Sequence, residues 1–254
     1  MPDYLNGTEL SGEEFQDSLR LRFGLKPKCL PDTCDGCNAP FSVDHAMKCK
    51  KGGPVILRHD RLKKEWHRLC ADALKPAAVT DEPFIHSSPD RNQLTQSAAN
   101  GQPGTVAPEL RGDVAALGFW SRDRETIFDI RITDADSKSQ RNTTNEKVLA
   151  KHEKEKKKTY GEACANRRKH FTPLVFTVDG MRGKEANAAM KRLAATLAAK
   201  WSRPYSQVCG YVRSRLSLAL VRSANSCLRG TRDPSNRVSR PAWEAGGGLS
   251  LYQY

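Results

Sequence analysis

The sequence predicts an α/β fold, a small mixed sheet flanked by helices, with a short cysteine-rich segment ahead of it. Three observations carry this reading. The run "ETIFDIRITD" sets Ile127, Asp129 and Arg131 against Phe128, Ile130 and Ile132, the period of two that marks a strand. Farther on, "KEANAAMKRLAATLAAKW" and "SQVCGYVRSRLSLALVRSANSCL" space their apolar residues at helical intervals. Ahead of them all, "CDGCNAPFSVDHAMKC" holds three cysteines and a histidine.

Taken in chain order, "LSGEEF" offers Ser11 as a helix N-cap with Glu14 three residues on, and the amphipathic "FQDSLRLRFGL" that follows ends near Gly24. After the cysteine segment, "KKGGPVILRHD" reads as a turn. "DRLKKEWHRLCADAL" then predicts a helix over 60–74, with Leu62, Trp66, Leu69 and Leu74 at helical spacing. Residues 86–108, rich in Ser, Asn, Gln, Gly and Pro, predict a mobile loop. "LRGDVAALGFW" and "ETIFDIRITD" predict two strands in hairpin order, joined by the charged turn "SRDRE". From Glu146 a long charged helix is expected, then a buried strand in "TPLVFTVDG", then the two Ala/Leu-rich helices. The order from residue 60 is helix, loop, strand, strand, helix, strand, helix, helix. Four units follow from this: a helical linker at 1–27, the cysteine segment at 28–58, an α/β domain at 59–228, and a basic, disordered tail at 229–254.

Lys and Arg outnumber Asp and Glu by 42 to 29, a formal charge of +13, and this favours a polyanionic partner such as DNA or RNA. A membrane partner is not expected: the opening "MPDYLNGTELSGEEF" has neither a basic start nor an apolar core, and no apolar run approaches the roughly 20 residues of a spanning helix. An intracellular, nuclear location is the expectation. Thiols stay reduced there, so the eight cysteines need an account other than disulfides. For the scattered Cys29, Cys70, Cys164, Cys209 and Cys227, buried structural thiols are that account.

The clustered cysteines are different. Cys34-x2-Cys37 places two thiolates on one turn, and His45-x3-Cys49 places an imidazole and a thiolate one helical turn apart. Together they make a Cys3His set for structural Zn2+, with Cys29 a poorer-fitting substitute for one ligand. A structural zinc contributes roughly 10–16 kcal/mol of apparent binding energy to folding such a segment. With all four positions filled by protein, this argues for binding or scaffolding, not catalysis.

A second constellation is acidic and basic. Asp113 opens one predicted strand and Asp129 lies on the next, so pairing as a hairpin brings both carboxylates to one end of the sheet. Hard oxygen ligands there suit Mg2+ or Mn2+. The plainer alternative puts Asp113 in a turn and Asp129 on a solvated face. Phe128, Ile130 and Ile132 mark the buried side, leaving Asp129 and Arg131 together on the polar one. Lys156 and Tyr160, four apart on the next helix, can both reach the site, while Lys154, Lys157 and Lys158 are placed to contact phosphates or to form a solvated face.

The succession Cys34, Cys37, His45, Cys49, then Arg58-His59, then Arg111-Gly112-Asp113, then Asp129 and a Lys/Tyr helix resembles the C-terminal region of site-specific non-LTR retrotransposon proteins. There a CCHC zinc knuckle precedes a restriction-like endonuclease of the PD-(D/E)xK superfamily. The resemblance covers roughly residues 28–180, and "LNGTELSGEEFQDSLRLRFGLKP" reads like the linker that joins such a region to a reverse transcriptase. It implies that Asp113 and Asp129 bind the catalytic divalent metal and that Glu82 is the acid often carried on the first helix, although Glu82 also reads as an exposed acid before Pro83. Arg58, His59, Arg131, Lys154, Lys157 and Lys158 become nucleic-acid contacts. Two departures stand out: Gly112 replaces the motif proline, and Arg131 occupies the motif lysine position, where a permanently protonated side chain cannot serve as a base. The lysine is then expected on the next helix, at Lys156. No "Y/F-x-D-D" polymerase motif is present, so a reverse transcriptase of the same element would act in cis or in trans.

The functional expectation is a metal-dependent DNA endonuclease that nicks by Mg2+-assisted phosphodiester hydrolysis. The alternative is a catalytically inactive, zinc-containing module that binds DNA or RNA.

Overall fold

A computed structural model of the chain describes residues 9–85, 110–135, 137, 140 and 142–233. The loop expected at 86–108 lies outside the described residues, as does the part of the expected tail from 234 onward. Six α-helices, four strands and a single 3-10 turn (Pro76–Ala78) are described: α1 (Gly12–Arg22), α2 (Val43–Lys48), α3 (Pro54–Ala73), β1 (Val79–Asp81), β2 (Val114–Leu117), β3 (Glu125–Thr133), α4 (Asn145–Asn166), β4 (His170–Thr177), α5 (Lys184–Trp201) and α6 (Tyr205–Arg229).

The strands form one mixed sheet in the order β1-β2-β3-β4. β1, β2 and β3 pair antiparallel, with Val114 opposite Phe128, and β4 joins β3 in parallel with Ile130 opposite Leu174. A parallel pair needs a long crossover, and α4 supplies it. Both faces of the sheet are covered. On one, Phe128, Ile130, Leu174 and Phe176 pack against Leu62 and Trp66 of α3, Leu193 and Leu197 of α5 and Val212 of α6. Trp66 meets the Phe128 ring edge-on at 5.3 Å, a packing geometry aromatic pairs favour. On the other, Ala115 and Ile127 pack with Ile85 and Cys164, with Tyr160 of α4 alongside. The α/β architecture expected from the sequence is therefore present.

Several elements form for reasons visible locally. Ser11 accepts the Glu14 N–H while the Glu14 carboxylate takes the Ser11 N–H, the expected capping box. α3 begins at Pro54, earlier than the expected residue 60. Gly53, at φ +80°, supplies a left-handed turn that costs other residues, and Pro54 then opens the helix with its φ already set. Neither the three-residue β1 nor the six-residue α2 has enough length to show periodicity in the sequence.

Residues 229–233, expected in the tail, are ordered against the rest of the chain. Arg229 closes α6, and the chain through Asp233 stays packed against the cysteine segment, with Arg232 only 2% exposed. Among the described residues, no helix is long and apolar enough to cross a membrane.

Candidate metal centre and carboxylate site

The cysteine segment is a tight turn followed by a short helix. Cys34 accepts the Asn38 N–H and donates its own to Ala39, which curls Cys34 and Cys37 onto one side. Ser42 caps α2 through the His45 N–H, and Cys49 follows one turn after His45. The ligand atoms of Cys34, Cys37, His45 and Cys49 all lie within 4.8 Å of one another. Cys34 and Cys37 sulfurs are each 3.9 Å from Cys49 Sγ, and Cys37 Sγ is 3.4 Å from His45 Nε2.

These separations match an ion's requirements. Zn–S bonds of about 2.3 Å at tetrahedral angles put sulfurs about 3.8 Å apart, and a Zn–N bond of about 2.0–2.1 Å puts nitrogen about 3.5 Å from sulfur. A Cys3His cluster able to bind zinc is thus formed, and it is the only group of three or more Cys, His, Asp or Glu ligands gathered this way among the described residues. Burial is the largest single influence and opposes ionisation of Cys34, but the hydrogen bonds from the Gly36 N–H, His45 and Cys37 together outweigh it and bring the thiol to about 6. A thiolate is the form that binds metal.

Residues far along the chain build the floor under the cluster. Arg232 donates to the carbonyls of Ala46 (3.2 Å) and Cys227 (2.6 Å), and its guanidinium sits 5.1 Å from the Phe41 ring centre. Asp35, between the first two cysteines, accepts from the Arg232 N–H at 2.7 Å and the Thr231 hydroxyl at 2.6 Å. Gly52 and Gly36 leave room for the segment after α6: a Cβ at Gly52 would lie 2.4 Å from Arg232 Cα, and one at Gly36 2.6 Å from Arg232 Cβ. Ala46 and Met47 pack on Ala224, Cys227 and Leu228 of α6. The cysteine segment therefore shares its apolar core with α6. Nothing in the sequence marked Arg232; Asp35 could have been noticed as the acid inside the Cys34-x2-Cys37 turn.

The carboxylates meet on the sheet. Extending the β2–β3 register by one residue sets Asp113 opposite Asp129. Asp113 Oδ2 accepts the Ile130 N–H at 2.5 Å and faces His59 Nε2 at 3.1 Å. Asp129 is 4% exposed, beneath α4. Lys156 Nζ lies 2.5 Å from Asp129 Oδ2, a close ion pair. The Tyr160 hydroxyl also bonds Asp129, and its ring stacks on Phe171 at 5.1 Å. Burial, with the nearby Asp113 charge, raises the Asp129 carboxyl above its ordinary range against the pull of Lys156 and Tyr160. Burial and Asp129 together raise the Tyr160 phenol. His59, held by Asp113 and Asp60, is likewise raised.

Several expected placements are corrected by the structure. Asp129 on the polar side of β3 is not solvated, because α4 covers it, whereas Arg131 stays partly exposed. Glu82 is on no helix: it follows β1 at φ +47°, pairs with Lys63 at 2.8 Å, and does not complete a three-carboxylate cluster with Asp113 and Asp129. Arg58 is no surface contact for nucleic acid; it is 5% exposed, and its Nη1 donates to the Met47 carbonyl at 3.2 Å. His59 turns toward Asp113 instead, and Arg131 pairs with Glu155 at 2.9 Å. Lys157 pairs with Glu185. Helical residues advance 100° each, so Lys154 and Lys158, both exposed, stand across α4 from Lys156 and do not share its face. Of the scattered cysteines, Cys70, Cys164, Cys209 and Cys227 are buried as expected, but Cys29 is exposed.

No protein-family model matches the chain, and no curated protein matches it either.

Proposed function

We propose that the protein is a metal-dependent DNA endonuclease of the retrotransposon type, nicking its target by Mg2+-assisted phosphodiester hydrolysis, with a structural zinc knuckle beside the nuclease sheet. One observation carries this reading: Asp113, Asp129, Lys156 and Tyr160, drawn from three separate elements, converge at the β2–β3 end of the sheet. Asp113 and Asp129 offer hard oxygen donors of the kind Mg2+ or Mn2+ takes. A divalent ion held there would supply charge neutralisation at the phosphate and a more acidic water.

The chain's own groups do the rest. The Lys156 ammonium sits at the edge of the carboxylate pair, where it can follow the negative charge that builds on the phosphate. Tyr160 fixes the Asp129 carboxylate from the other side, and its stacking on Phe171 fixes Tyr160. The zinc segment braces the N-terminal half of α3 through Arg58. The +13 chain draws DNA in, and a reverse transcriptase of the same element, in cis or in trans, would extend the nicked strand in the nucleus.

The direct test is nicking of supercoiled plasmid with Mg2+ or Mn2+. Wild type is expected to nick, and Asp129→Ala to lose more than the 10–100-fold that removal of an outer-shell partner costs. Undiminished nicking by the variant refutes the reading. A second reading, an inactive nucleic-acid-binding module, draws on the same Asp129–Lys156 ion pair, which satisfies both groups without an ion. Steeply salt-dependent DNA binding without cleavage in any divalent metal would select it.

A further inference from the structure

We propose that His59 is the positioning residue for Asp113, fixing that carboxylate for its divalent cation; the inference rests on the nuclease reading of the Asp113–Asp129 pair. Asp113 stands just before β2, outside the regular strand, so the ladder alone does not hold its side chain. Two donors do: the Ile130 N–H at 2.5 Å and His59 Nε2 at 3.1 Å. Both use Oδ2, and Oδ1 takes neither. A carboxylate held this way by one oxygen presents the other to an ion in a fixed direction, the task outer-shell partners perform at metal sites.

The geometry also fixes the chemistry of the imidazole. An acceptor at Asp113 requires the proton on Nε2. Nδ1 faces Asp60 Oδ1 at 3.3 Å, so the ring is oriented from both ends. The helix beneath it is anchored as well: Arg58, the preceding residue, is buried against the Met47 carbonyl, and Trp66, two turns on, is fully buried in the core. His59 is thus a side chain with little freedom, aimed across 54 residues of sequence at one carboxylate oxygen.

The experiment compares His59→Ala and His59→Gln with wild type in two assays: direct Mn2+ titration of the zinc-loaded protein, and the Mg2+ dependence of plasmid nicking. His59→Ala is expected to weaken Mn2+ binding and raise the half-saturating Mg2+ by about 10-fold or more, with the rate at saturating metal falling much less. His59→Gln, which keeps an N–H donor near the Nε2 position, is expected to recover most of the loss. Wild-type metal dependence in His59→Ala, even with a lowered Tm, would overturn the proposal, as would failure of Gln to rescue in a variant that remains folded by circular dichroism. If no form nicks DNA while His59→Ala still weakens Mn2+ binding, the nuclease reading falls and the positioning role stands.

Discussion

The Cys3His cluster takes all four candidate ligands from residues 34–49, whereas the carboxylate site takes His59 from α3, Asp113 from the loop before β2, Asp129 from β3, and Lys156 with Tyr160 from α4. In the first, spacing along the chain prescribes the ligand set, but the supporting contacts come from Arg232 and α6. In the second, the supporting contacts are the fold itself. The difference teaches that a local motif can be legible while its support is not, and that a dispersed site is legible only as far as strand pairing can be guessed.

The comparison breaks most readily at the zinc. Removal of the ion by a chelator, or Cys49→Ser, is expected to forfeit a large part of the roughly 10–16 kcal/mol that such an ion contributes. Hydrogen exchange should then show residues 28–53 losing protection while β3 and β4 keep theirs. Equal loss in both would mean that the two regions form one cooperative unit. Because Arg58 joins the cysteine segment to α3 next to His59, a carboxylate site that binds a divalent ion as proposed is expected to need more of it once zinc is partly lost.

A smaller effect tests the borrowed floor. Arg232→Ala removes two buried bonds to carbonyls and the contact with Phe41. The expected cost is about 2–4 kcal/mol in denaturant unfolding, together with weaker zinc retention in competition with a chromophoric chelator. Unchanged zinc retention would make the floor incidental.

The smallest effect is a pH dependence at the carboxylate site. His59 has its folded pKa raised above the ordinary 6.5, chiefly by its bond to Asp113. Its contribution to stability is therefore fully present below 6.5 and is lost as pH rises through the higher folded value. Unfolding midpoints measured across that window should show a step that His59→Gln lacks, and a step of the same size in the variant would assign it to another group.

Much of the fold was legible. The capping box at Ser11 and Glu14, the alternation in β3 and the Ala/Leu faces of α5 and α6 are patterns with a fixed period, and the hairpin followed from the short turn between β2 and β3. Less of the candidate site was legible. Lys156 and Tyr160 could be placed on one helix face from their spacing, but Arg58 and His59 looked alike in sequence, two polar residues side by side. One is buried against Met47, and the other faces Asp113.

The sequence alone determined the Cys3His ligand set, the strand that carries Asp129 and the shared face of Lys156 and Tyr160, because each depends on spacing within a few turns of chain. Only the tertiary structure decided that α4 lies over Asp129, that Glu82 turns to Lys63 and that Arg232 supports the zinc segment. Those outcomes depend on which faces find each other across tens to about two hundred residues, where burial and charge pairing are settled by the assembled fold and leave no period in the chain.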